Sequence, residues 1–125
     1  VLITAAGHPL AKKASVRWKA LAGQSLVVLD HASGSRRLID DALRKHGAAC
    51  HIKQELGHPT TVFRMIEAGL GISVMPALSV PASGLPGLEV RPLIPTIQRQ
   101  IMLVRRRNRA LGPLAQYVWD LIATR

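Results

Sequence analysis

The sequence predicts an α/β fold, and three observations lead there. Short apolar runs alternate with amphipathic stretches along the chain, the order expected of strands and helices stacked in layers. The run Gln24–Leu29 (QSLVVL) is continuously apolar rather than alternating, which suits a strand buried on both faces of a parallel sheet. The 125 residues are 48% apolar, enough for a packed core and too apolar for wholesale disorder.

The elements follow in order. Val1 to Ala5 is expected to be a strand. Ser15 is placed to cap a short helix over Val16–Leu21, anchored by Val16, Trp18 and Leu21. Gln24–Leu29 is the next strand. A helix spans Ser35–His46, with Leu38, Ile39, Ala42 and Leu43 as its apolar stripe, and Arg36, Arg37, Asp40, Asp41, Arg44 and Lys45 mainly off it. Gly47 stops that helix. A strand over Ala49–Leu56 leads to a helix capped by Thr60 or Thr61 and ending at Ala68, buried through Val62, Phe63 and Ile66. Gly71–Met75 is a short strand stopped by Pro76, and Pro81–Pro86 (PASGLP) is a turn. Leu88–Leu93 and Gln100–Arg105 are two further strands. Pro113 opens the last helix at a position where its missing N–H is harmless. Leu114, Tyr117, Val118, Leu121 and Ile122 then recur at the spacing of one helical face. Right-handed crossovers between these elements give a small parallel sheet with helices on both faces.

Composition narrows the function. The formal net charge is +10, yet the basic residues are dispersed apart from Arg105-Arg106-Arg107 with Arg109, and aromatics are 3%. Stacking platforms for single strands or RNA are therefore scarce, and the charge reads first as a solvated surface, with a basic nucleic-acid-binding module as an alternative. One cysteine, Cys50, excludes an internal disulfide and fits a reducing cytoplasm. No run is long enough to span a bilayer. The opening Val1–Ala6 lacks a basic flank and an initiating Met, so it reads as the inside of a longer protein rather than a signal peptide.

A set of landmarks in register resembles the effector-binding (substrate-binding) domain of LysR-type transcriptional regulators. Gly7-His8-Pro9-Leu10-Ala11 is similar to the family's His-Pro-Leu segment, and Val16–Leu21 to its short following helix. Ser33-Gly34-Ser35-Arg36-Arg37, Ile39-Asp40 and Gly47 match its serine-rich loop and helix. Glu55 precedes the crossing into Thr60–Ile66. Ala68-Gly69-Leu70-Gly71-Ile72-Ser73-Val74-Met75-Pro76 is the most specific piece. Gly87-Leu88, Pro92-Leu93, Arg99–Arg107 and Gly112-Pro113-Leu114-Ala115 resemble the closing strands and last helix, although the family more often begins that helix Ser-Pro.

The resemblance implies a two-lobe fold like periplasmic binding proteins, with a Rossmann-like parallel sheet in the second lobe and an incomplete first lobe. Residues 17–92 would form the second lobe. Residues 1–16 and 93–125 would be the surviving part of the first, with crossovers near Pro9–Val16 and Pro92–Thr96. The rest of the first lobe and the helix-turn-helix would lie upstream. It also implies a small effector, often anionic, bound between the lobes; a homodimer or homotetramer; DNA contact only through the absent helix-turn-helix; and a cytoplasmic location without membrane contact or cofactor. A periplasmic solute-binding protein shares the fold and is the first alternative.

Candidate site residues fall at strand-to-helix junctions, where ligands gather in open α/β sheets. Ser33, Gly34 and Ser35 form one: helix N-terminal N–H groups attract carboxylates and the hydroxyls add donors. Plain helix capping explains the same serines. His58, Pro59, Thr60 and Thr61 form a second, with capping and a Pro59 turn as the alternative; the resemblance implies that this junction faces the effector. Gly69-Leu70-Gly71 runs from helix into strand, the reverse of a phosphate loop, so it reads as a tight turn; Ile72 and Ser73 beside it are expected at the cleft. His46, Cys50 and His51 match no standard metal spacing, and neighbours on a strand face opposite ways. There is no G-x-S-x-G elbow. Asp30-His31 beside Ser33 is no more than proximity in sequence, and the seven carboxylates form no evident acid–base pair. No catalytic or metal-ligating residue is expected.

Overall fold

The structure, a computed structural model, describes residues 1–124. Its strands are β1 (Leu2–Ala5), β2 (Val16–Arg17), β3 (Ser25–Leu29), β4 (His51–Leu56), β5 (Ser73–Val74), β6 (Leu88–Arg91) and β7 (Leu93–Ile94). Its α-helices are α1 (Arg36–Lys45), α2 (Pro59–Glu67) and α3 (Pro113–Ala123), with single 3₁₀ turns at Pro9–Lys12, Trp18–Leu21 and Ala77–Ser79.

β3 and β4 pair in parallel, while β1 lies between β5 and β6 and runs antiparallel to both. The two groups join where Ile72 donates its N–H to the Ser25 carbonyl (2.9 Å) and accepts from the Val27 N–H (2.9 Å). The resulting order is β4-β3-β5-β1-β6, a mixed sheet in which the expected parallel character holds for β3, β4 and β5. Gly71 is needed at that junction. A Cβ there would stand 2.4 Å from the Ser25 carbonyl oxygen, closer than any side chain allows.

The period-2 alternation of side chains builds two cores on opposite faces. Leu2, Leu26, Val28, Ile72 and Val74 join Trp18, Leu21, Ala42 and Leu43 beneath α1. Ile3, Val27 and Met75 join Val62, Phe63 and Ile66 beneath α2. Each buried aliphatic side chain of this kind contributes roughly 1.5–3 kcal/mol relative to exposure.

Several expectations are revised. Residues 1–16 were expected with the first lobe, but β1 is hydrogen-bonded in the middle of the sheet, and Leu2 and Ile3 are fully buried. Residues 2–5 are thus paired with residues 73–74 and 88–91. Arg125, the last residue assigned to the first lobe, lies outside the described residues. The helix expected over Val16–Leu21 is a two-residue strand followed by a 3₁₀ turn. β-branched Val16 prefers extended backbone, and its N–H donates to the Pro92 carbonyl (2.9 Å) as β2 pairs in parallel with β7. The strand expected over Leu88–Leu93 divides at Pro92, which has no N–H for a ladder; β6 goes to β1 and β7 to β2. Neither Thr60 nor Thr61 caps α2: His58 is the cap residue and Pro59 takes the first helical position. Residues 100–105 form no strand, because among the described residues nothing supplies a ladder partner. Ile101 and Val104 stay exposed, as does the apolar stripe of α3 at Leu114, Tyr117, Val118, Leu121 and Ile122. Among the described residues no helix is long and apolar enough to cross a membrane.

Candidate functional site

The parallel pairing of β3 and β4 brings their two carboxyl ends side by side. Asp30, just past β3, donates its N–H to the Leu56 carbonyl at the end of β4 (3.0 Å). Gly57 lies against the Asp30 side chain. The two predicted junctions, 33–35 and 58–61, thus open from one edge of one sheet.

The first junction is a hydrogen-bonded turn. Asp30 Oδ1 accepts from the Ala32 N–H (3.0 Å), and the Asp30 carbonyl accepts from the Ser33 N–H (3.1 Å). The Ser33 and Ser35 hydroxyls bond each other at 2.8 Å, and the Ser35 N–H reaches Ser33 Oγ at 3.4 Å. Ser35 is the residue before α1, but its hydroxyl makes no capping bond. Ser33, whose Oγ accepts the Ser35 N–H, fits the capping alternative, while the buried Ser35 side chain caps nothing and Gly34 is exposed. A hydroxyl pair holds one proton between its oxygens and leaves the other free to donate.

The second junction lacks side-chain capping. His58 has extended backbone, no side chain caps α2, and neither helix carries an acidic residue in its first turn. Neither helix thus carries an acidic residue at its own amino end, and the Asp30 carboxylate, held by the Ala32 N–H and lying against Gly57, is a negative charge already at this edge. His58, Thr60 and Thr61 are exposed and Pro59 is half-buried.

Arg36 ties the start of α1 to the ends of β3 and β4, a role its place in the amphipathic pattern concealed. It was expected off the apolar stripe, yet it is 3% exposed. Its Nη1 donates to the Leu29 carbonyl (2.8 Å) and to Glu55 Oε2 (3.1 Å), Nη2 reaches Glu55 Oε1 (3.4 Å), and Nε donates to both Asp40 oxygens (3.0 and 3.1 Å). One planar guanidinium thereby clamps α1, β3 and β4. Burial pulls its pKa down, but the bonds and charges of Glu55 and Asp40 outweigh that and hold it above the ordinary arginine value. The same hydrogen bond from Arg36 holds Glu55 below the usual carboxylate range. Arginine beside a helix amino terminus was the sequence signal, since a cation there needs an anionic partner.

Ser35 also lines a cavity of about 260 Å³ between the start of α1, the end of β5 and the segment after β7. Trp18, Met75, Pro76, Ile97 and Arg99 contribute to its walls. None of these was a candidate site residue in the sequence. Ile72 is not at this edge. It lies 1% exposed in the core, bridged to Leu26 near the amino end of β3, and Ser73 is equally buried.

The groups outside the site have structural surroundings. His46 stacks on Trp18 (ring centroids 6.2 Å apart), and Cys50 Sγ donates to the Leu21 carbonyl (3.1 Å), its thiol pKa raised by burial. Among the described residues no cluster of His, Cys, Asp or Glu has metal-binding geometry. Of the basic run, Arg105 lies over the Trp119 ring at 5.2 Å, a cation–π contact.

Comparison with known proteins gives a consistent result. The family described as LysR substrate binding domain matches residues 1–125. The HTH-type transcriptional regulator YfeR of Shigella flexneri is 49% identical over 113 residues, covering 90% of this chain and 37% of that protein. YbhD of Escherichia coli, likewise an HTH-type transcriptional regulator, is 34% identical over 123 residues, covering 98% and 39%. The chain thus spans little more than a third of the length of these relatives. Among solved structures, the effector binding domain of QuiR in complex with shikimate superposes with a TM-score of 0.84 at 27% identity, covering 96% of this chain and 57% of that one. The CcmR regulatory domain of Synechocystis, in complex with 2-PG, shares the fold with a TM-score of 0.81 at 20% identity, covering 99% and 61%.

Proposed function

Because this chain belongs to the LysR substrate-binding domain family, we propose that it senses a small-molecule effector at the carboxyl edge of its sheet and passes the signal to a helix-turn-helix elsewhere in the full protein. The observation that supports this is the parallel pairing of β3 and β4, whose carboxyl ends lie side by side and lead into the junctions that start α1 and α2, one of them carrying the Ser33–Ser35 hydroxyl pair. An effector with a carboxylate would gain from N–H groups at a helix start and from the free hydroxyl proton. QuiR, bound to shikimate, is a relative with a ligand of that chemistry.

Regulation is proposed to work by population shift. In this reading the crossovers run near Pro9–Val16 and Pro92–Thr96, and the parallel β2–β7 pair, joined through Val16 and Leu93, supports it by bringing those two segments together. A ligand that prefers one lobe arrangement favours it by its differential affinity, and the arrangement of the oligomer on DNA follows. A homodimer or homotetramer, the cytoplasm as its location, and DNA contact outside these residues belong to the same proposal.

The test is a melting-temperature screen of the full-length protein against carboxylic acids that include shikimate. Any acid that stabilises it is then titrated against the wild type and a Ser33→Ala/Ser35→Ala variant. The expected result is at least tenfold weaker binding in the variant. Equal binding by the two proteins would remove the assigned site.

A further inference from the structure

The segment that leaves β7 is held by very little. Pro92, Ile94, Pro95 and Thr96 are exposed, and Leu93 is its buried anchor. Val16 donates its N–H to the Pro92 carbonyl (2.9 Å), and the two-residue β2–β7 ladder follows. Past that ladder, among the described residues, one hydrogen bond ties the segment through Ile97 to the rest of the fold. The Trp18 indole Nε1 donates to the Pro95 carbonyl at 2.9 Å. The donor is 4% exposed and stands 77 positions away in sequence. A segment with so few ties belongs to the low end of local stability.

Trp18 is in turn held by α1. It shares a core with Ala42 and Leu43. Its ring stacks on His46, the residue that ends α1, with centroids 6.2 Å apart and planes 13° apart. Toward the other end of α1, Ser35 and Ile39 wall one cavity together with Trp18, Leu93 and Ile97. An indole has a single N–H and no acceptor, so the orientation of the ring decides where its one bond goes. The helix that begins at the Ser33–Ser35 junction therefore bears on the departing segment through one side chain.

Resting on the sensing role proposed above, we infer that Trp18 is a positioning residue, a latch that holds residues 92–97 to α1 and carries a shift at the start of α1 to the segment read there as a crossover. A latch of this kind biases an equilibrium only if it is closed in one arrangement and open in the other. One neutral hydrogen bond at a surface carbonyl suits that task. The exposed Pro95 carbonyl can take water in place of the indole, so opening costs little and strands no buried acceptor.

The experiment is hydrogen exchange of the full-length protein, comparing the wild type with Trp18→Phe, which keeps a ring and loses the donor. Without ligand, the amides of Val16 and β7 should exchange about two- to tenfold faster in the variant, the factor that one neutral hydrogen bond is worth. The amides of Ser25–Leu29 should not change, which separates a latch from a general loss of core packing. His46→Ala leaves the donor in place and frees the ring. It should speed the same amides, and it decides the matter if Trp18→Phe does not fold. Wild-type exchange at Val16 and β7, or a loss spread equally over β3, overturns the inference. The comparison is then repeated with a carboxylic acid that raises the melting temperature. The wild type should change its exchange at residues 92–98, while Trp18→Phe binds the acid within about threefold as tightly and shows no such change. A wild-type response in Trp18→Phe overturns the transmission and leaves small-molecule sensing intact. If no acid binds, sensing falls and the transmission falls with it, and the ligand-free comparison still decides the latch.

Discussion

Replacing Arg36 by methionine keeps the apolar stem and removes the clamp. The bond to the Leu29 carbonyl at 2.8 Å comes from a charged donor in a buried setting, and such bonds contribute about 1.5–3 kcal/mol. The pair with Asp40, one helical turn away and partly exposed, adds about 0.3–0.5 kcal/mol. Glu55 is 45% exposed, so its pair is left out of this figure. The carboxylates left behind can both hydrate, so the larger cost of a stranded buried charge does not arise. The expected loss is about 2–3.5 kcal/mol, read as a lower urea midpoint with unchanged slope. Arg36→Lys should recover less than half of it, since an ammonium cannot span the Leu29 carbonyl and two carboxylates at once. A loss below about 0.5 kcal/mol, or full recovery with lysine, would refute the clamp, because surface substitutions already fall in that range.

Other consequences are as specific. Gly71→Ala should destabilise by about 2 kcal/mol or more, since its methyl meets the Ser25 carbonyl oxygen at 2.4 Å and backbone must shift; thermal unfolding checks it. Ile66→Ala, which empties a fully buried site under α2, should cost about 2–5 kcal/mol in urea unfolding. Glu55 is held below the usual carboxylate range, chiefly by the hydrogen bond from Arg36. Its contribution is therefore fully present above the unfolded value and is lost as pH falls through the folded one. Urea unfolding from pH 6 down to about pH 3 should show a smaller acid loss in Glu55→Gln than in the wild type; an identical loss would mean that Glu55 has no part in it.

What the sequence made legible was whatever is written in local pattern. The apolar stripe of residues 38–43 and the QSLVVL run correspond to α1 and β3, with bounds shifted by a residue at most. Pro113 begins α3 as its position suggested. The serine and threonine junctions were legible as one end of a parallel sheet, and β3 and β4 do place them together. The parts that escaped depend on distant partners. Nothing local in Leu2–Ala5 says that it will run antiparallel between β5 and β6. Val16 becomes a strand only because Pro92 and Leu93 come alongside. Arg36 looked like a solvated helix charge until Glu55, nineteen residues away, met it. Ile72 looked like a cleft residue because a glycine turn precedes it, and it is instead the seam between two parts of the sheet. The cavity is assembled from five separate stretches of chain, and no window of sequence contains it.

The central claim is that ligand is received at the carboxyl edge of β3 and β4. Hydrogen exchange of the full-length protein, with and without a carboxylic acid that raises its melting temperature, tests this most directly. The account predicts slower exchange at the amides of residues 33–38 and 57–62, with the Arg105–Arg107 run unchanged. Protection confined to that arginine run, with both junctions exchanging as before, would contradict it.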